Sequence, residues 1–298
     1  MATTGYLIMG FVFVLDKFIL EKSVSKPVVY TFYSTIFMFV AFLAFPFGVT
    51  LLRGIDWLWA LVAGVTFGFG LWTMFKAVET GETSHISPFL GAVIAIFTYV
   101  FSSFFLHEVI TQMQILGIAF LVFASFLLSF EKSKKHSGFH IGFVWAIFSA
   151  LLFAISHVST KYIYGQYDFL TGLVWTRAFI GVVGLITLFF PSVRKVFKKN
   201  TKKQKKEEYA KKHVIGIVVT NKVLAVIGVI AIQYAIALGS VTLVNALAGL
   251  QFAFMFLIII TLTKFAPKVF KEFFTNRELL QEWIAIIFIL IGSGFLVL

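Results

Sequence analysis

The chain has 298 residues, is 60% hydrophobic and 13% charged, and has a mean hydropathy of +0.97; soluble domains carry about 25% charged residues, so a water-soluble fold is excluded. Its net charge of +12 is concentrated, with ten of the 25 Lys and Arg between Arg194 and Lys212, which reads as a cytoplasmic loop facing anionic lipid and not as a nucleic-acid surface. Zero cysteines exclude disulfides, cysteine-ligated metals and thiol catalysis.

Apolar segments follow one another along the chain. The first, residues 5–20, has no basic stretch before it and no small-residue cleavage site after it, so a membrane span is expected and not a signal peptide. The second covers 29–52, after Lys26-Pro27. The third covers 57–78 and carries Gly64 and Gly68 one helical step apart, which lets a neighbouring helix approach closely. The fourth, 86–106, contains no charge, opens on Ser87-Pro88 and closes on His107-Glu108. The fifth, 112–130, ends in the charged run Glu131-Lys132-Ser133-Lys134-Lys135. Spans over 141–164 and 169–190 precede a basic loop, 191–213. The eighth covers 214–238 and the ninth 241–263; a loop over 264–280 leads to the tenth, which reaches Leu298. Only helices satisfy their backbone over such lengths in lipid. The expected fold is therefore an all-α membrane protein of ten transmembrane helices.

Internal similarity divides the chain in two. A shift of 158 places Gly81 on Gly239, Ser87 on Asn245 and Gly91 on Gly249. Earlier, Lys17 and Ile19 match Lys161 and Ile163 at a shift of 144; later, Ala124-Ser125 match Gly292-Ser293 at 168. The shift grows along the chain, as it does when loops of the second copy lengthen. Residues 1–130 and 139–298 are thus expected to be five-helix repeats, and an odd helix number inverts the second copy in the membrane.

The residues now quoted carry a resemblance to a known family. Ser87-Pro88, Leu106-His107-Glu108-Val109-Ile110-Thr111, Gln114-Ile115-Leu116-Gly117, Ala237-Leu238-Gly239-Ser240 and Val244-Asn245-Ala246-Leu247 resemble the drug/metabolite transporter superfamily, in its ten-helix form with two EamA repeats. The resemblance implies a fold of two inverted five-helix EamA-like repeats and a transport function. The sequence departs from that pattern where Gln251 and Lys264 stand in place of a proline and a glutamate near the ninth helix.

Charge sets the orientation. Nineteen Lys and Arg lie in the loops after odd-numbered spans, against Arg53 alone in the other loops and termini. The basic loop 191–213 is then cytoplasmic and both termini lie outside a cell membrane, although the resemblance implies cytoplasmic termini for many relatives.

Candidate solute contacts are the polar groups placed deep in spans. Arg177 lies about 12 Å into the seventh span at 1.5 Å per residue, and an arginine there must face the bundle interior or a wet cavity. Its readings are substrate contact or a structural clamp on carbonyls. Lys222 is similarly deep in the eighth span, with the option of snorkelling. Asn245 and Gln251 are uncharged polar groups at membrane depth that can bind solute or join helices. Trp175, Trp72 and Ser87, the repeat mate of Asn245, complete the expected binding set. Lys17, Lys161 and Lys76 lie within about a turn of span ends, where snorkelling is the default. His157 and His85 are of the one residue type whose ordinary pKa lies near neutrality, and no His–carboxylate spacing suggests a metal.

No Asp or Glu occupies the centre of a span, and no nucleophile–base pair, phosphate-cradling loop or ATP motif occurs. The expectation is a secondary transporter of a small solute by alternating access, with an anionic substrate, no cofactor, no catalytic residues and no nucleic-acid partner. Membrane lipid surrounds it, and the oligomeric state is open. A flippase for an anionic lipid or lipid-linked sugar, and a membrane-embedded enzyme or sensor, remain as alternatives.

Overall fold

The structure is a computed structural model that describes residues 1–20, 26–80, 83–129, 140–197, 208–265 and 276–297. The described residues are helical, with no strand among them. In order the helices are α1 (Ala2–Leu20), α2 (Pro27–Ile36) with a 3-10 continuation (Phe37–Phe47), α3 (Asp56–Thr80), α4 (Thr83–Phe105), α5 (Gln112–Ser129), α6 (Ile141–Gln166), α7 (Phe169–Thr187), α8 (Pro191–Phe197), α9 (Glu208–Leu238), α10 (Val241–Ala246), α11 (Ala248–Phe265) and α12 (Asn276–Val297). Among the described residues nine segments are long and apolar enough to cross a membrane, from Pro27–Phe47 to Leu279–Leu296. They match the second to tenth expected spans, while α1, where the first was expected, has a shorter apolar stretch, Ala2–Leu15.

Three spans depart from continuous α-helix. The second tightens to 3-10 geometry from Phe37 and stops at Gly48, which takes φ +100°. Pro46 lacks an amide and crowds the carbonyl four residues before it, which disfavours α-geometry in the last turn. The seventh ends at Thr187, and the short α8 follows from Pro191. The ninth is interrupted at Leu247, whose amide bonds to Leu243 while its carbonyl accepts from Leu250, so that α10 and α11 are separate pieces. Local caps set the starts: Asp168 accepts from the Thr171 amide at α7, Ser240 from the Leu243 amide at α10, and Pro27 occupies the first turn of α2.

Small residues decide which helices touch. A Cβ on Gly64 would lie 2.3 Å from the Phe179 Cβ, and one on Gly68 2.7 Å from Val183, so α3 meets α7 backbone to backbone. The spacing of these glycines on one face anticipates that contact. Two hydroxyls bind α6 to α3 beside it: Ser149 donates to the Gly70 carbonyl at 2.8 Å and Ser156 to the Ala63 carbonyl at 2.7 Å. Between α5 and α12, Gly117 and Gly292 face each other, and a Cβ on either would lie 2.8 Å from the other's carbonyl oxygen. α1 packs on α9 and α11, while α4 packs on α5, α6 and α10. Large apolar side chains such as Phe37, Leu43, Phe104, Phe123 and Leu290 point outward, as lipid-facing residues do. Polar side chains such as Thr98, Ser102, Ser156, Arg177 and Asn245 point inward.

Contacts across helix ends define one face of the bundle. The starts of α3 and α7, the end of α6 and the α9–α10 turn meet there, and Thr3 borders the same turn. This is the terminal face. The opposite face carries α8 and the basic residues Arg194 and Lys195.

Candidate functional site

Arg177 is buried at 7% exposure, eight residues into α7 and so about 12 Å from its start. α3 brings the Phe67 ring to it, 5.5 Å from the guanidinium carbon to the ring centroid. No hydrogen bond or ion pair reaches this guanidinium among the described residues. His157 on α6 lies at similar depth, nine residues before Gln166. Its ring stacks on Phe153 at 6.2 Å and lies 6.4 Å from Phe67, and it is within electrostatic reach of Arg177. The buried Nδ1 of His157 has no hydrogen-bond partner among the described residues. Two turns further along the same face of α6, Tyr164 donates to Gln233 Oε1 of α9 at 3.1 Å and also acts electrostatically on Arg177. The close approach of α3 through Gly64, Gly68 and Gly70 lets these side chains from three helices converge.

Between this cluster and the terminal face lies a dense set of bonds. Lys161 Nζ donates to the Ile236 carbonyl at 2.8 Å and the Ala237 carbonyl at 3.1 Å, at the negative end of α9. Glu108 accepts from the Val241 amide at 3.0 Å and the Thr242 hydroxyl at 2.7 Å, at the positive end of α10. Opposite charges thus hold the two sides of a single turn. Ser102 and Thr242 share a hydrogen bond of 2.6 Å beneath it. On the other side of the bundle Asp56 accepts from Tyr162 at 3.1 Å and Tyr167 at 2.6 Å, and the Thr50 amide donates to Thr171 Oγ1 at 3.0 Å. Hydrogen bonding to Asp56 raises the Tyr167 hydroxyl above its ordinary pKa. Burial alone would raise the Asp168 carboxyl, but hydrogen bonds from Thr171 and neighbouring amides hold it below its ordinary value. Cavities on this face stop short of Arg177. One of about 330 Å³ is lined by Phe105, Glu108, Lys161 and Tyr162, and one of about 420 Å³ by Thr3, Ser240, Leu247 and Leu296.

The other expected contacts are dispersed. Asn245 is buried on α10 and donates to Thr98 Oγ1 of α4 at 3.4 Å. Gln251 is buried on α11, whose backbone meets Gly10 of α1. Lys222 is exposed on α9. Trp175 donates its indole N–H to the Thr50 carbonyl at 2.8 Å and packs on Trp57, away from Phe67. Trp72 lies near the other end of α3, with Lys76 Nζ 5.3 Å above its ring and Phe190 beside it. Ser87 is half-buried near the start of α4. The side chains of Lys17 and His85, and most of the basic cluster, lie outside the described residues. Tyr164, Glu108 and Asp56 were not among the expected contacts. The seven-residue spacing of His157 and Tyr164 on one helix was the available signal for the first.

Fold and charge placement define a multi-pass, all-α membrane protein. Comparison with solved structures agrees: 28 solved chains match, and one described as "Crystal structure of protein" superposes with a TM-score of 0.68 at 15% identity, over 99% of this chain and 95% of that one. No curated protein matches. Residues 1–130 match the model of the EamA-like transporter family, part of the drug/metabolite transporter superfamily.

The Glu108 grip is testable. Glu108→Ala leaves the Val241 amide and the Thr242 hydroxyl without their acceptor, and the fold should lose about 1–3 kcal/mol. In the cysteine-free chain, Val244→Cys, buried beneath this turn, should react with a water-soluble maleimide several-fold faster when Glu108→Ala is added. Equal labelling rates would show that Glu108 does not hold the α9–α10 turn in place.

Proposed function

We propose that the protein is a carrier and not an enzyme: a secondary transporter that moves a small anionic solute by alternating access, with Arg177 as the solute's anchor. The observation that carries this reading is a buried guanidinium at mid-span with an aromatic ring beside it and no hydrogen-bond acceptor among the described residues. A clamp on carbonyls would be hydrogen-bonded. An unpartnered arginine in a spanning helix costs about 2.5 to 3.5 kcal/mol on insertion scales, and a carboxylate or phosphate offset by its planar fork removes that cost.

Packing supports the alternating part. Under an inverted two-repeat arrangement of 1–130 and 139–298, α3 on α6 corresponds to α9 on α1, and α4 on α6 to α11 on α1; both members of each pair are in contact. The contact of α3 with α7 corresponds to α9 with α2, and there no comparable packing exists among the described residues. Unequal counterparts of this kind are what a carrier stopped at one end of its cycle presents. The bonds across the terminal face, beyond which its cavities do not reach Arg177, support a state whose solute path leads to the basic face. By charge that face is cytoplasmic and both termini are outside. Thr3→Cys should therefore react with an impermeant maleimide in intact cells, and protection of Thr3→Cys there would reverse the orientation.

Substitutions at Arg177 separate anchor from clamp. Arg177→Leu should fold with unchanged or higher thermal stability, because an unpartnered buried charge is removed. The wild-type protein should be stabilised by members of a panel of organic anions, by about 2.7 kcal/mol at a concentration 100 times the Kd. Arg177→Lys should weaken that shift and Arg177→Leu should abolish it. Loss of stability in Arg177→Leu together with an intact anion shift would identify a clamp.

A further inference from the structure

Binding an anion at Arg177 leaves one buried group beside it unexplained. His157 presents a buried Nδ1 without a hydrogen-bond partner among the described residues, within electrostatic reach of the guanidinium and beside the Phe67 and Phe153 rings. We propose that His157 carries a coupling proton, and that the site takes a small dianion, a dicarboxylate or a phosphate monoester, together with that proton. This rests on the reading of Arg177 as anchor and names its substrate class and coupling ion.

The argument is one of charge and hydrogen bonding. A monoanion matches Arg177 and leaves the imidazole nitrogen stranded, which is costly in a buried site. A second anionic oxygen accepts a hydrogen bond from Nδ1–H, and the protonated ring supplies a second positive charge. Two positive charges then face two negative ones, and the loaded site is neutral where the membrane tolerates net charge least. Histidine is suited to the role because its ordinary pKa lies near neutrality. The surroundings are otherwise uncharged. α3 presents Phe67, α6 itself presents Phe153 and the Tyr164 hydroxyl, and α9 presents Gln233, which holds that hydroxyl. Arg177 from α7 is the charged group that acts on His157 among the described residues. Lys161, one turn along α6, is directed instead to the Ile236 and Ala237 carbonyls.

Purified full-length protein tests this with probes that do not titrate near neutrality: sulfate and ethane-1,2-disulfonate as dianions, methanesulfonate as the monoanion. In weakly buffered solution, dianion binding should draw up to about one proton per site from the medium, and methanesulfonate binding none. Dianion affinity should tighten by up to about tenfold per pH unit as pH falls from about 8 to about 6, the slope for one linked proton. In His157→Gln, or in His157→Asn if the former misfolds, binding should persist at reduced affinity with the pH slope gone. Dianion binding without proton uptake, with the same slope in wild type and His157→Gln, would overturn the coupling role while leaving the Arg177 anchor standing. Failure of wild type to bind either dianion, or binding undiminished in Arg177→Leu, would remove the anchor and this inference with it.

Discussion

Everything in the centre of this molecule answers to a positive charge that cannot be discharged. A guanidinium stays protonated at any physiological pH, and Arg177 is held at 7% exposure about 12 Å into a membrane-spanning helix. The surrounding fold offers it a phenyl face from Phe67, an imidazole from His157 and the Tyr164 hydroxyl. None of these is an anion at neutral pH. Helices α3, α6 and α7 therefore enclose a charge without a protein counterion among the described residues, which is the basis for the proposal that a transported anion supplies one.

The scaffold that achieves this depends on close helix approach. Without Gly64 and Gly68, α3 would stand off from α7 and Phe67 would not reach Arg177. The hydroxyls of Ser149 and Ser156 bind α6 to carbonyls of α3, which places His157 on the shared interior face. Toward the terminal face, polar bonds replace apolar packing. Lys161 and Glu108 bind the α9–α10 turn through three backbone groups and the Thr242 hydroxyl.

The sequence announced the spans because length and apolar character suffice to mark them, and Gly64 and Gly68 announced the α3–α7 contact because helical spacing puts both on one face. Breaks inside spans were harder to see. Pro46 hinted at the end of the second span, but nothing in Phe37 to Phe45 signals 3-10 geometry, and the interruption at Leu247 has neither glycine nor proline at that position. Arg177 stood out as a lone central charge. Its neighbours did not, because Phe67 and His157 meet it only through tertiary packing. Trp175 shows the converse: it lies two residues from Arg177 in sequence, yet the helix turns it toward Trp57 and the Thr50 carbonyl.

Direct observation of the counterion decides whether Arg177 is an anchor. Crystals of the wild-type protein soaked in selenate should show an anomalous peak within hydrogen-bonding distance of the Arg177 guanidinium, on the side facing His157. The same soak of Arg177→Leu crystals should show no peak there. A guanidinium hydrogen-bonded to protein carbonyls or side chains, with no anion beside it at saturating selenate, would contradict the account.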